Sequence, residues 1–464
     1  MSLTKATYSM IVGAPVNVMD FGAYNDGTNA TTTTAAIQAA IDTGAKSIYF
    51  PQGTYLISST LSITGSQQNF FGDGGLKSSP IIQANANTFP IFTAAGTGTQ
   101  SLLSFSNLTL KYGNRGFVSN VIPSGGFAIL DRTSFVNVTF DQQTVGGIYG
   151  DATQKMIIGQ VKNCLFSYCV GGIKSLGGSF SIWSIDDSKF EGLNDSALYI
   201  YNINDGQTGG GVINVRNNRF EANSGITSGY YYCDFRSTEN LNFEGNYFED
   251  VTSDTMRIFG LYNFSINTRI VGNFFGVSGG ANIVVDDGVI GLSIEYNTFT
   301  GGNITRLAAP GATLQKVSIF QNRSLTNIVN FLIGDIINCD RQLSWTPEIK
   351  PDGTGTAWTA TSTGFYNVSN GTVTARGSIA YTVKTGTIQY AYLLGLPIPI
   401  NNTYPMFGVS INGDTNIYSM QLSSTNGYGA FYKNNSSGLP GGLIGSELGP
   451  TTGTIQLQIT YSLL

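Results

Sequence analysis

Val215-Arg-Asn-Asn-Arg-Phe220 is the clearest copy of a pattern that repeats along the middle of the chain. Further copies are Phe243-Glu-Gly-Asn-Tyr-Phe248, Ile270-Val-Gly-Asn-Phe-Phe275 and Ile294-Glu-Tyr-Asn-Thr-Phe299. Weaker copies end at Leu110, Phe140, Phe166, Phe190 and Ser324. Successive copies end 24 to 30 residues apart, and a fixed period of strand-like units indicates a repeat fold.

This period predicts an all-β fold, a right-handed parallel β-helix, because a turn of three short strands and three bends suits roughly 20–30 residues. A β-propeller blade needs about 40 residues, and the leucine ladder of a leucine-rich repeat is missing. Stacked turns place identical residues about 4.8 Å apart. We therefore expect the recurring phenylalanines to form an internal aromatic ladder and the preceding asparagines to form a ladder at the turn.

The repeat is flanked by two other regions. Ile37, Ala40 and Ile41 share one face at helical spacing, which predicts a capping helix at about residues 33–43 with Gly44 as its stop. After about residue 335 the repeat ends, and strand-like runs alternate with Gly and Asn turns. The predicted domains are an N-terminal neck over residues 1–20, a β-helix over 21–338 and a C-terminal β-sandwich over 339–464.

Composition excludes several classes of function. The 464 residues include no histidine, which removes a histidine general base and histidine-bound zinc. The net charge is −5 and no basic stripe is present, so nucleic acid is not an expected partner. No apolar run is long enough to insert into a membrane. The four cysteines lack metal-binding spacing, so we expect buried free thiols.

Three blocks near the N-terminus resemble the pectate-lyase-like β-helix superfamily. They are Val16–Gly27, Ala35–Asp42 and Ile48–Ile57, the last of which contains Phe-Pro-Gln-Gly-Thr-Tyr. In that family the helix caps the open end of the solenoid, and the Phe-Pro block is the first turn. One departure is Asn29-Ala-Thr-Thr-Thr-Thr34, where the family often has Thr-Asp-Asp-Thr.

Both ends of the chain look like those of bacteriophage tailspikes. Thr4–Pro15 resembles the neck before a tailspike β-helix, and Gly371–Ile379, Leu394–Pro397 and Ile455–Tyr461 resemble tailspike end domains. The resemblance implies a homotrimeric virion protein of the phage tail that binds bacterial capsular polysaccharide or lipopolysaccharide O-antigen and usually cleaves it. It also implies an N-terminus that attaches to the tail directly or through an adaptor protein.

Alternation along four successive strands predicts a polar outer column. Inward Leu198, Cys233 and Met256 would leave their neighbours in sequence outside. The outward residues are then Tyr199, Tyr201, Tyr232, Asp234, Arg236, Arg257 and Asp286. Asp195 and Asp254 are expected on the bends that lead into two of these strands, and Glu239 lies just beyond Arg236. Tyrosines offer sugars an apolar platform, while acids and arginines bind their polar groups.

The first functional hypothesis is endo-glycosidic hydrolysis by a carboxylate pair. The candidate carboxylates are Asp234, Asp254 and Asp286, with Asp195 in reserve. A separation of about 5–5.5 Å implies retention and about 6.5–9.5 Å implies inversion, and both fit neighbouring turns. Glu191, Glu221 and Glu249, at a repeated bend, are expected to be structural.

Two alternatives remain open. A polysaccharide lyase would use Arg236 or Arg257 to neutralise a uronate and a tyrosine as base, drawn from Tyr199, Tyr201 and Tyr232. A non-catalytic receptor-binding spike would bind the glycan without cleavage, through the same face or through the end domain as a lectin. No cofactor and no metal are expected for any of the three.

Overall fold

The computed structural model of the protein describes residues 14–462 apart from short internal segments. The segments outside the description are 77, 125–127, 203–210, 222–230, 250–254, 260–264, 277–280, 287, 308–313, 316, 326, 330–335, 346–347, 352–357, 370–371, 384–390, 395–405, 412–417, 423–428, 435–439 and 443–451. The chain divides into two compact units. One holds the chain up to Leu314 with Asn322–Val329, and the other holds Gln315–Gln321 with Asn330–Leu464.

Three stacks of parallel strands build the first unit. The stack that carries the candidate site, here called the site sheet, contains Leu61–Ile63, Phe92–Ala94, Arg115–Ser119, Gly146–Gly150, Ile173–Gly177, Leu198–Asn202, Cys233–Arg236, Met256–Phe259, Ala281–Val285, Gly302–Arg306 and Asn327–Val329. Each strand pairs in parallel with the strand one turn later, as Leu198 with Cys233 and Cys233 with Met256. This pattern is a parallel β-solenoid and confirms the predicted solenoid fold.

The other two stacks complete each turn. The second sheet contains Thr54–Ile57, Ile81–Ala84, Thr109–Lys111, Thr139–Asp141, Leu165–Ser167, Lys189–Glu191, Arg219–Glu221, Tyr247–Glu249, Phe274–Gly276 and Thr298–Phe299. The third sheet contains Val16–Asn17, Ser47–Phe50, Asn69–Gly72, Thr99–Ser101, Ser104–Ser106, Ile129–Val136, Lys155–Lys162, Ser179–Asp186, Ile213–Arg216, Leu241–Glu244, Arg269–Val271 and Ser293–Glu295. Short additional strands are Ser265–Ile266, Val289–Ile290 and Leu314–Gln315.

Phenylalanine rings fill the interior of the solenoid as predicted. In the second sheet Phe140 and Phe166 stack with centroids 4.6 Å apart, as do Phe166 and Phe190. The ladder continues through Phe220, Phe248, Phe275 and Phe299. All seven rings are buried. Successive rings of the ladder have centroids 4.6 to 5.0 Å apart. This regular stacking keeps each turn in register with the next.

A column of asparagines lines the same bend on five successive turns of the solenoid, which confirms the predicted asparagine ladder. The side-chain oxygen of Asn246 accepts the backbone N–H of Asn218 at 2.9 Å, and its amide donates to the carbonyl of Val215 at 2.9 Å. The ladder comprises Asn218, Asn246, Asn273, Asn297 and Asn322. These bonds link the backbone and side chains of neighbouring turns at this bend.

The capping helix is present, but it starts earlier than predicted. A short 3-10 helix at Val18–Phe21 precedes the helix Ala30–Asp42. Thr34 lies inside the first turns of the helix, where its hydroxyl donates to the Ala30 carbonyl at 2.7 Å. Thr34 also accepts the backbone N–H of Ser58 at 2.8 Å. Its hydroxyl therefore ties the helix to the first turns of the solenoid.

The second unit is mostly antiparallel. Its strands are Val317–Phe320, Ile336–Trp345, Glu348–Pro351, Trp358–Ser369, Thr372–Val383, Ala391–Leu394, Met406–Ile411, Tyr418–Leu422, Gly429–Asn434, Pro440–Gly442 and Thr452–Ser462. Thr372–Val383 pairs antiparallel with Trp358–Ser369 on one side and with Thr452–Ser462 on the other. The sandwich arrangement and the exact domain boundaries stay predictions. Residues 1–13 of the predicted neck lie outside the described residues.

Two further expectations concern side chains and membrane crossing. Cys164, Cys169 and Cys233 are buried free thiols, as predicted. Burial raises the pKa of Cys164 and of Cys169 to about 12, so neither is a reactive thiolate at neutral pH. Among the described residues, no helix is both long and apolar enough to cross a membrane.

Candidate functional site

The site sheet brings four polar side chains into one outward column. Lys174, Tyr199, Asp234 and Arg257 occupy matching positions on four successive strands. Their neighbours in sequence, such as Leu198, point inward and are buried. Strand alternation therefore places the column on the outer face, as predicted for three of the four. A second outward column two residues later holds Tyr201 and Arg236.

Asp234 lies at the centre of the site and contacts two arginines. Its Oδ2 accepts hydrogen bonds from Nη2 of Arg236 at 2.8 Å and from Nη2 of Arg257 at 2.6 Å. Both arginines also donate through Nε, Arg236 at 3.1 Å to Oδ2 and Arg257 at 3.1 Å to Oδ1. The Asp234 side chain is only 2% exposed, against 21% for Arg236 and 15% for Arg257. From outside, the arginines therefore cover the carboxylate.

Burial and charge act in opposite directions on this network. Burial raises the pKa of Asp234, while the hydrogen bond and the charge of Arg257 oppose that rise. Burial of Arg257 favours its neutral form, but its contact with Asp234 prevails and raises the pKa of Arg257. A carboxylate that accepts hydrogen bonds from two guanidinium groups has its oxygens engaged, so it is poorly placed to donate a proton to a substrate. The geometry favours Asp234 as the group that positions the two arginines.

Tyrosine rings surround the arginines. The guanidinium carbon of Arg236 lies 5.0 Å from the ring centroid of Tyr199 and 5.6 Å from that of Tyr201. The two rings meet edge to face, with centroids 6.4 Å apart. Arg257 lies 4.7 Å from the ring centroid of Tyr231. These cation–π contacts hold the arginines in place while each ring keeps apolar surface for a ligand.

Tyr232 was predicted to be outward, and that prediction is wrong. Its side chain is fully buried, and its hydroxyl donates to the carbonyls of Glu221 at 3.2 Å and of Phe190 at 3.4 Å. The residue precedes the strand Cys233–Arg236, so it lies on the bend where strict alternation no longer holds. Burial raises the pKa of Tyr232 well above its ordinary value, which removes it as a base. Its neighbour Tyr231 contacts the site instead.

The remaining predicted acids are dispersed around the column. Asp195 lies on the bend before Leu198–Asn202, where it forms an ion pair with Lys174 and accepts the backbone N–H of Ser196 at 2.6 Å. Asp286 is partly exposed just after the strand Ala281–Val285, and its N–H donates to the Ile258 carbonyl at 2.9 Å. The charge of Asp286 affects the pKa of Arg257 less than burial, Asp234 or Tyr231 does. Asp254 lies outside the described residues.

Glu239 does not lie on the outer face of the site sheet. It follows the bend at Ser237, whose φ is +53°, and its backbone forms a bridge with Ile266. The chain has therefore left the site sheet before reaching this residue. Within the part of the chain that the structure describes, no cluster of acids and cysteines could hold a metal ion.

Four residues of the face were not among the predicted site residues, and Tyr231, beside Arg257, is one of them. Lys174 continues the column by one turn, and its strand Ile173–Gly177 shows the same alternation, so extending the pattern would have found it. Tyr149 lies in the same column on the turn before Lys174. The guanidinium carbon of Arg115 is 4.1 Å from the Tyr149 ring centroid. The site face, as used below, is the outer surface from Arg115 to Arg257.

The fold and the column together define a parallel β-solenoid with a polar and aromatic outer face. Residues 15–204 match the family described as rhamnogalacturonase A/epimerase, pectate lyase-like, over less than half of the chain. No curated protein is significantly similar in sequence.

Several solved structures are similar in fold. The Dettilon tailspike protein (gp208) has 12% identity and a TM-score of 0.47, covering 96% of this chain and 94% of its own. The gp49 tailspike of Acinetobacter baumannii bacteriophage Fri1, a capsular polysaccharide depolymerase, has 10% identity and a TM-score of 0.41, covering 97% and 86%. PfbA, a surface adhesin of Streptococcus pneumoniae, has 13% identity and a TM-score of 0.42, covering 68% and 93%.

Proposed function

We propose that this chain is a phage tailspike that binds a bacterial surface polysaccharide, capsule or O-antigen, on the site face and depolymerises it. The observation that carries the proposal is the cluster of Tyr199, Tyr201, Arg236 and Arg257 around Asp234 on three successive turns. Aromatic rings beside fixed hydrogen-bond donors are the groups that bind sugars. The pectate-lyase-like match over residues 15–204 supports a carbohydrate ligand.

Rigidity of the site also supports binding of an extended polymer. The strands that carry the column are hydrogen-bonded on both sides, so the side chains have a fixed spacing of about 4.8 Å per turn. Groups mounted on strands are held more firmly than groups on loops. A polysaccharide that lies across several turns would therefore meet a preformed surface and lose little affinity to reorganisation of the protein.

For the reaction, we propose endo-glycosidic hydrolysis by a carboxylate pair. Because Asp234 is engaged by two arginines, the general acid is drawn from the other carboxylates, Asp286, Asp254 and Asp195. Asp286 is partly exposed and lies near Arg257, which makes it the leading candidate. Asp195 is instead engaged by Lys174 in an ion pair.

Elimination by a lyase mechanism is a second candidate, favoured by the arginine–tyrosine contacts. A cation near a tyrosine stabilises its phenolate, and Arg236 lies over Tyr199 and Tyr201. Arg257 could then neutralise the carboxylate of a uronate while a tyrosine abstracts the proton. The alternative without chemistry is a receptor-binding spike that uses the same face.

Assembly and location belong to the same proposal. We place the protein in the phage tail as a homotrimer that acts at the bacterial surface, with the N-terminal neck or an adaptor attaching it to the virion. Residues 339–464 would then form the trimerising or glycan-binding end domain. These assignments rest on the resemblance of both ends of the sequence to tailspikes.

The test is a panel of bacterial capsular and O-antigen polysaccharides incubated with the protein. A fall in polymer size with new reducing ends supports hydrolysis, and new ultraviolet absorbance from unsaturated uronate supports elimination. Binding without any change in polymer size would support the non-catalytic spike. Arg216→Gln is the control for variants of the site face. Arg216 forms an ion pair with Asp186 at 2.9 Å on the third sheet, outside the site face.

A further inference from the structure

The third sheet carries a row of mainly aliphatic side chains at one position on five successive turns. This row, here called the ridge, consists of Leu102, Arg132, Ile158, Ile182 and Val212, which the register of the strands places level with one another. The four aliphatic side chains are 37% to 50% exposed. At about 4.8 Å per turn, the ridge runs roughly 19 Å along the solenoid. Single exposed aliphatic residues are ordinary on protein surfaces, but an aligned row of them marks a contact surface.

The backbone conformation makes the aliphatic residues of the ridge unexpected. Ile158 has a φ of +53° and Ile182 a φ of +57°, a left-handed conformation that β-branched residues rarely adopt. Later turns occupy the same position with residues that suit it, namely Asn240, Asn267 and Gly291. In a free chain, the two isoleucines therefore reduce stability through backbone strain and also expose apolar surface. Residues held in such a conformation against their preference indicate a functional contact.

The surface beside the ridge carries little charge. Asp131 and Arg132 form an ion pair at 3.2 Å. A chain with a net charge of −5 repels its own copies, and a neutral strip is where those copies can approach. Arg132 of one copy can lie against Asp131 of the next, so the one charged level is complementary to itself. The other outward residues that flank the ridge are Ser101, Ile157 and Ser181 on one side and Ser104, Ser134, Gln160, Ser184 and Asn214 on the other.

We infer that the ridge is the surface through which copies of this chain associate side by side, with parallel solenoid axes and each ridge against the ridges of the other copies. In such a cyclic arrangement every residue lies level with its own copies, so aliphatic side chains meet aliphatic side chains at each turn. The common spacing of about 4.8 Å keeps this match along the whole ridge. The inference rests on the homotrimer of the proposed function, because it names the surface by which that trimer forms.

Cysteine substitution tests whether the ridges of different copies meet. Under copper-catalysed air oxidation, Ile182→Cys should give disulfide-linked pairs of chains, because level side chains of two copies come within disulfide reach. The wild-type protein is the baseline, since Cys164, Cys169 and Cys233 are buried. The matched control is Tyr168→Cys. Tyr168 is 59% exposed and has a φ of +52°, but it lies on the bend after the second sheet, so this variant should run as single chains on a non-reducing gel.

Asparagine substitution tests what the aliphatic side chains contribute. A double variant, Ile158→Asn with Ile182→Asn, gives two turns the residue type that Asn240 has at the same position. Each chain should therefore keep its fold by circular dichroism. In urea that half-dissociates the wild-type trimer, the double variant should need at least about tenfold more protein to assemble to the same extent, because apolar surface is lost from the contact. Tyr168→Asn should assemble as the wild type does.

Two results would overturn the inference while the homotrimer stands. One is a wild-type trimer in which neither Ile158→Cys nor Ile182→Cys gives more linked chains than Tyr168→Cys. The other is a double asparagine variant that assembles as the wild type does, including one that binds polysaccharide more weakly, which would assign the ridge to the ligand instead. If the wild-type protein is a single chain in solution, the homotrimer of the proposed function fails, and this inference fails with it.

Discussion

Arg257 donates a hydrogen bond from Nη2 to Oδ2 of Asp234 across 2.6 Å, from the neighbouring turn of the solenoid. The contact joins two strands through their side chains as well as their backbones. Arg236 completes the arrangement from within the same strand as Asp234. The carboxylate of Asp234 thus fixes the direction of two guanidinium groups on the outer face. Asp234 would therefore affect a ligand through the two arginines.

Asp234→Asn should reduce stability and raise KM. The variant removes the carboxylate that both guanidinium groups contact, and loss of one partner of a buried ion pair costs about 3 kcal/mol. Thermal unfolding should show the loss of stability. Because the arginines lose their alignment, KM for the polysaccharide should rise about tenfold or more, with a smaller effect on kcat.

The matched control for this variant is Asp186→Asn. Asp186 is buried and pairs with Arg216 on the third sheet, so it should lower stability without changing KM. If Asp234→Asn instead lowers kcat at least about a hundredfold, the loss typical of a missing general acid or base, with KM unchanged, then Asp234 is a catalytic residue.

Tyr232→Phe should cost stability but not activity. The variant removes a buried hydroxyl that donates to the carbonyls of Glu221 and Phe190, a loss of about 1 kcal/mol. Tyr199→Ala, on the site face, should instead weaken polysaccharide binding with little change in stability. Chemical denaturation and a binding titration on both variants separate the two roles. Loss of binding in Tyr232→Phe at unchanged stability would contradict the buried assignment.

Much of the fold was predictable because the repeat fixes it. A residue that recurs once per turn must lie above its copies in a parallel stack, so Phe220 and Phe248 could be assigned to one ladder from spacing alone. The start of the helix was less predictable. Threonines favour the position that caps a helix, but the Thr34 hydroxyl lies inside the helix and bonds to Ala30 and Ser58, and the second contact depends on packing.

The candidate site was predictable only in part. Alternation gave the outward position of Asp234, Arg236 and Arg257, because period two is a local property of a strand. It failed at Tyr232, which precedes the strand, since the bend sets the direction of that side chain. Alternation also gave no information on the ion pairs. Which acid binds which base across neighbouring turns depends on the register between strands, which a single sequence does not display.

The stability of the protein should fall in acid partly through Glu191. Burial of this side chain works to raise its pKa, but hydrogen bonds from Lys189 and Ser167 prevail and lower it below the ordinary value. A carboxyl group whose pKa is lowered in the folded state stabilises the protein when the pH is above the pKa that the group has in the unfolded state. For glutamate that pKa is about 4.3. That contribution is lost as the pH falls through the folded-state pKa.

Glu191→Gln should therefore make the loss of stability in acid less steep. The measurement is the unfolding free energy of both proteins from about pH 3 to pH 7. At neutral pH the variant should be the less stable of the two, and the difference should narrow toward low pH. Parallel curves for the two proteins over this range would show that Glu191 is not a source of the acid sensitivity.

The assembled protein should be a trimer. With charged residues at only 11% of the chain, much of the surface is weakly polar and suited to lateral association. Light scattering should then give roughly three times the 49.4 kDa mass of the chain. A mass near that of a single chain at micromolar concentration would exclude the trimer and leave the site face to act within one subunit.

Asn246→Ala should destabilise the solenoid without affecting the site face. The side chain of Asn246 accepts the N–H of Asn218 and donates to the Val215 carbonyl, and all three residues lie on the side of the turn away from the site sheet. Alanine would leave that buried N–H without its side-chain acceptor, at a cost of about 1–3 kcal/mol, and would remove the bond to the Val215 carbonyl. Thermal unfolding should show a clear fall in stability. Activity per folded molecule should remain at the wild-type level, because Asp234 and its arginines keep their strand register. A loss of activity at temperatures where Asn246→Ala is fully folded would mean that the ladder also sets the geometry of the outer face.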